Sequence, residues 1–176
     1  MDLIVIPIDS VIDILTNSSS EMFVSKKGMS EQAVREVLKK IMEGYSTMVG
    51  VEHGMDVFED DINILSTRED TLQFLQDFAC YLLPDYSSLE KVVIGNETIS
   101  HEKWLSSERD PHQRVDWRKS EELTKKAVAK WLKEHPEVVE QFLRSAVVHS
   151  SGDNSVPYEL FDIIDRQLGG THYHLG

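Results

Sequence analysis

The sequence predicts one α+β domain spanning residues 1–176, with about five helices packed on a small mixed or antiparallel sheet. Three observations lead there. Short apolar runs of strand length lie near both ends, amphipathic segments of helical period fill the middle, and neither a repeat nor a low-complexity tract interrupts them.

In order along the chain, Leu3-Ile4-Val5-Ile6 reads as a buried strand that Pro7 closes, because proline has no N–H for a ladder. Val11-Ile12 and Ile14-Leu15 bracket Asp13, and Met22-Phe23-Val24 follows a polar cluster, so a hairpin or two adjacent strands are expected. Ser30 is placed to cap a helix over 30–44, whose Val34, Val37, Leu38, Ile41 and Met42 share one face and whose Gly44 suits a left-handed end. Residues 47–65 carry two short strand-like runs, Met48–Val51 and Ile62–Ile64. Ser66-Thr67-Arg68-Glu69 has the form of a capping box and opens a helix over 67–83, stopped by Pro84. Val92-Val93-Ile94 before Gly95-Asn96 reads as a strand, and residues 97–115 as a loop or a loosely packed short helix.

Leu123, Ala127, Val128, Trp131 and Leu132 mark a further helix ending before Pro136. Pro136-Glu137 suits the first turn of the next, where proline costs no hydrogen bond and glutamate complements the dipole. Val138, Val139, Phe142, Leu143 and Ala146 form its apolar face, and a strand is expected over 146–149. Gly152-Asp153-Asn154-Ser155 is turn chemistry. Pro157 and Glu159 open the last helix, Gly169-Gly170 ends it, and Thr171-His172-Tyr173-His174 closes the chain as a strand.

Bulk properties narrow the function. Apolar content of 40% and charged content of 28% are those of an ordinary globular protein. No apolar run reaches the length of a membrane span, and "MDLIVIPI" lacks the basic start of a signal peptide. The lone Cys80 has no internal disulfide partner and is expected as a reduced, buried thiol, which points to the cytoplasm. A formal net charge of −13 disfavours nucleic acid, whose phosphates need lysine and arginine, although residues 109–133 hold a local basic stretch. It suits a protein partner, a basic one included.

Three polar segments fall at junctions between elements, where functional groups concentrate. The first is Thr16-Asn17-Ser18-Ser19-Ser20-Glu21, the second surrounds Asp153-Asn154-Ser155, and the third is His172-Tyr173-His174. Hydroxyls and loose backbone amides in the first can hold an anion, or can simply cap a turn. A nucleophilic serine needs a base and an oxyanion hole, and neither the Gly-x-Ser-x-Gly elbow nor a phosphate-binding loop is present. Asp153 most simply caps the last helix, with a cation or histidine partner as the alternative.

On a strand, His172 and His174 share one face and Tyr173 the other. Two such imidazoles suit acid–base work or half a metal site, for which Asp153, Glu21 and His149 are the available third ligands. No ligand spacing of metalloprotein type is present, so neither metal nor other cofactor is assigned. Asp56, Glu59, Asp60 and Asp61 fail the calcium-loop pattern at the ligand, glycine and closing-glutamate positions. Trp104, Trp117 and Trp131 read as core or partial-core anchors.

"DILTNSSSEMF" and "DNSVPYELFDII…HLG" resemble the opening and closing segments of uncharacterised small proteins of tailed phages and gut bacteria. The resemblance covers about a quarter of the chain. It implies a phage or mobile-element setting and carries over no activity. Two functions are therefore expected as alternatives. One is an acidic, non-enzymatic accessory protein acting through protein contact, with mimicry of nucleic-acid charge as a lesser variant. The other is a small hydrolase or transferase whose Ser/Glu/Asp/His site is assembled from both chain ends.

Overall fold

A computed structural model describes residues 20–50, 52, 55, 58, 62–106, 114–150 and 156–175. The strand-like runs at 3–6 and 11–15, the acidic residues Asp56, Glu59, Asp60 and Asp61, and the turn 152–155 lie outside the described residues. The fold is α+β, and every strand pair among the described residues is antiparallel. It divides into two compact units: residues 20–65 of the described chain with Arg144 onward, and Ser66–Leu143.

The first unit is a four-stranded sheet with helices on one face. Its strands are β1 (Glu21–Val24), β2 (Ile62–Ile64), β5 (Ala146–Ser150) and β6 (Thr171–His174), in the spatial order β2-β5-β1-β6. Strand β1 is therefore central and flanked by segments from the far end of the chain. Its register sets Glu21 opposite both Ser150 and His174, and Phe23 opposite Val148 and His172. Residues directly opposite share a face. Phe23, Val148, Ile62 and Ala146 thus meet Val34, Leu38 and Met42 of helix α1 (Glu31–Val49) in one buried cluster, joined by Ile164 and Leu168 of helix α8 (Phe161–Leu168).

Helix α1 starts where the sequence predicts, with the Ser30 hydroxyl accepting from the Ala33 N–H at 3.2 Å. It does not stop at Gly44. It runs on through Met48 and Val49, which were expected to begin a strand, and ends at Gly50 with φ +70°. The left-handed position, which a side chain resists, is Gly50, so the helix gains more than a turn over the sequence reading.

The turn after α8 places a glycine where only a glycine fits. A Cβ on Gly170 would stand 1.6 Å from the Val24 carbonyl oxygen and 2.9 Å from the Ser25 Cα. Backbone meets backbone here, which allows β6 to enter the sheet beside β1. Buried Ser25 continues the pairing past β1. Its N–H donates to the Ala146 carbonyl and its hydroxyl accepts the Ala146 N–H, both at 2.8 Å.

The second unit holds helices α2 (Arg68–Asp77), α3 (Ala79–Leu82), α4 (Tyr86–Leu89), the hairpin β3 (Lys91–Ile94) and β4 (Glu97–Ser100), then α5 (His101–Ser106), α6 (Trp117–Glu134) and α7 (Pro136–Phe142). The capping box at its start is Thr67/Asp70, one residue later than the sequence suggests. The expected 67–83 helix breaks at Phe78, which adopts φ −108°. Residues 97–106, expected as loop or short helix, contribute a strand as well as α5. Helix α6 is fastened to β3 through two hydroxyls: Thr124 accepts the Lys91 N–H and Ser120 the Val93 N–H, each at 2.9 Å.

Two sequence expectations about single side chains are overturned. Cys80 is exposed, since α3 is a single turn whose other residues Ala79 and Leu82 take the inward side. Trp117 is 62% exposed at the first position of α6, where it meets Trp104 edge-on (5.8 Å, 89°). No helix among the described residues is long and apolar enough to cross a membrane.

Candidate functional site

The site grows from one charged residue in an apolar strand. β1 reads Glu-Met-Phe-Val, and all four residues are buried. Glu21 keeps only 3% of its surface exposed. A buried carboxylate is costly unless it is hydrogen-bonded and charge-compensated. Strand β6 supplies both. His172 Nε2 lies 2.5 Å from Glu21 Oε2, and His174 Nδ1 lies 2.9 Å from Glu21 Oε1. Because a carboxylate only accepts, each ring donates an N–H to it.

The two imidazoles are not equivalent. His172 is clamped among aromatic rings, stacked on Phe23 (centroids 5.0 Å, 25°) and tilted against Phe161 (4.4 Å, 43°). Its side chain is mostly covered. The His174 side chain is 58% exposed. With Nδ1 committed to Glu21, its Nε2 is the nitrogen left for solvent or a bound molecule. The carboxylate therefore fixes both the tautomer and the direction of an accessible ring.

A second carboxyl lies close. Asp165 on α8 has a buried Oδ1 without a hydrogen-bond partner among the described residues. Burial raises its pKa above the ordinary carboxylate value. The His172 ring opposes that shift, the neighbouring Asp162 adds to it, and the His172 backbone N–H opposes it again. Asp165 was not singled out by the sequence, in which it looks like any polar residue of an amphipathic helix.

Of the candidate residues, the structure brings together Glu21, His172 and His174, with Ser20 beside them: its carbonyl accepts the Leu175 N–H at 2.8 Å. Thr16, Asn17, Ser18, Ser19, Asp153, Asn154 and Ser155 lie outside the described residues. His149 does not join the group as a third ligand. It stands opposite Met22 in the register, so it points to the other face from Glu21. Ser150 stands opposite Glu21, on its face, and is fully buried. Among the described residues no three histidine, cysteine or acidic side chains are disposed to hold a metal ion.

Three lysines of the basic stretch in α6 are paired within the helix. Lys125 pairs with Glu121 and Lys126 with Glu122 at 2.7 Å, and Lys130 reaches Glu134 at 3.8 Å.

Fold and site together define an α+β protein with a carboxylate that bridges two imidazoles across neighbouring strands. No protein-family model matches the chain, nor does any curated protein or solved structure.

Proposed function

We propose that the protein is a small hydrolase or transferase in which His174 is the general acid–base group and Glu21 its positioning carboxylate. One observation carries this reading: a buried carboxylate holds Nδ1 of an exposed imidazole, directing Nε2 outward. A ring held this way takes a proton from an attacking hydroxyl or water at Nε2, while Glu21 stabilises the imidazolium through the Nδ1 bond. His172, packed between Phe23 and Phe161, keeps the second carboxylate oxygen occupied and so fixes the carboxylate plane. The hydroxyl-rich segment preceding Glu21 is the candidate source of a nucleophile. Ser20, its last hydroxyl residue, lies beside the site.

The test is turnover on a panel of p-nitrophenyl carboxylic and phosphoric esters. His174→Gln is expected to lower kcat by about a hundredfold or more, the usual weight of a positioned acid–base group, and Glu21→Gln to do the same with little change in KM. Equal activity in wild type and both variants, or no activity on any ester, would remove the enzymatic reading.

A second reading is an acidic accessory protein of a phage or mobile element that works through protein contact. Tyr158 is 76% exposed and Met48 is 73% exposed, and exposed side chains of this size favour an interface. Replacing both by serine is expected to abolish capture of such a partner while leaving the melting temperature unchanged.

A further inference from the structure

The second unit contains a cleft of about 270 Å³ that the proposed acid–base site does not use. Its floor is apolar: Ala79, Val92 and Val128 line it, and all three are buried. Two aromatic side chains also line it, Tyr86 and the largely exposed Trp117. Trp117 is held from behind by a chain of contacts. It meets Trp104 edge-on, Trp104 stacks on His101 (5.3 Å, 23°), and His101 Nδ1 bonds Glu90 at 2.7 Å. An indole left in solvent but fixed in orientation at the mouth of a cleft offers a ligand an ordered aromatic surface.

The charge of the lining is not balanced. Asp77, Glu90 and Glu121 face two lysines, Lys91 and Lys125. Both lysines are already engaged, Lys125 with Glu121 at 2.7 Å and Lys91 with the Ser88 carbonyl at 3.1 Å. The Ser120 and Thr124 hydroxyls are spent on the β3 backbone. By formal count one carboxylate remains in excess; Glu90 is bonded to His101 at 2.7 Å and Asp77 accepts from Gln73 at 2.9 Å. That excess opposes an anion, while Lys91, bonded only to a neutral carbonyl, keeps its own charge.

We infer that this cleft binds a small organic cation, its apolar body on the floor and its ammonium against Trp117 and Tyr86 with Glu90 and Asp77 as counter-charges. The cation–aromatic attraction and the carboxylate field act in the same direction, which makes the class of ligand specific. Tyr86 suits the role for a further reason. Burial, then the charge of Glu90 and of Cys80, push its phenol up, so it stays neutral and presents a π-face through the physiological range.

The probe is benzyltrimethylammonium, titrated into the full chain by calorimetry beside the matched anion benzenesulfonate. The expected result is saturable binding of the cation alone, weakened about tenfold by Trp117→Ala and several-fold by Glu90→Gln. Trp117 is mostly outside the core, so its variant should fold. If circular dichroism shows otherwise, Glu90→Gln decides alone. Unsaturable cation binding, equal binding of the anion, or undiminished affinity in the folded variants would overturn the assignment.

Discussion

At the scale of single residues, Glu21 concentrates the consequences. Its two oxygens each accept an imidazole N–H, and bonds to a charged group are worth more than neutral ones. Glu21→Gln preserves shape but turns one acceptor into a donor facing a donor. Urea unfolding should show a loss of about 2 kcal/mol. Asp165 gives the opposite sign. Its raised carboxyl pKa means the folded chain holds a proton more tightly than the unfolded chain. That stabilisation is complete below the unfolded value and fades as pH rises through the folded one. Asp165→Asn removes this falling contribution, so stability should rise more steeply with pH on the acidic side, measured as urea midpoints across pH, and the variant should be more stable at neutrality. Cys80 is exposed, yet partial burial first, and the Glu90 charge among the smaller causes, raise its pKa. Iodoacetamide should alkylate it more slowly at mildly alkaline pH than it does a free cysteine.

At the scale of elements, β6 depends on the turn that delivers it. Gly170→Ala would push a methyl group into the Val24 carbonyl, against backbone that cannot swing aside. A loss above about 3 kcal/mol is expected by urea unfolding, with the β6 amides exchanging fastest. This scale also shows what was legible beforehand. β1, β5 and the start of α1 follow from apolar runs and a cap, and β6 from the Gly169-Gly170 stop before it, all of them local signals. The α1 terminus was not legible, because Gly44 and Gly50 are both plausible stops and Tyr45, beyond the first, packs against the buried cluster. Strand β3 was expected from Val92-Val93-Ile94, but β4 escaped because Glu97–Ser100 has no alternating apolar pattern; its pairing partner, not its composition, makes it a strand.

At the scale of the whole molecule, the sequence placed Glu21, His172 and His174 in one candidate set from residue type alone, and the sheet order makes them neighbours. What it could not reveal was the division of labour: which histidine is clamped, which is open, and that His149 faces away. Those depend on register, and one residue of slip would reverse them. The formal charge of −13 also acts on the molecule as a whole. Like charges oppose compaction, so the melting temperature should rise as sodium chloride increases from ~10 to ~150 mM, through screening. An unchanged melting temperature would mean the acidic groups are already neutralised in pairs.

The most direct measurement of the central claim is nitrogen NMR of the imidazole tautomers, recorded at a pH where both rings are neutral. A carboxylate bridge requires His172 to carry its proton on Nε2 and His174 on Nδ1, the less common tautomer for a free ring. Glu21→Gln should release His174 from that state. A wild-type His174 protonated on Nε2, with Nδ1 bare, would contradict the bridge and the acid–base site built on it.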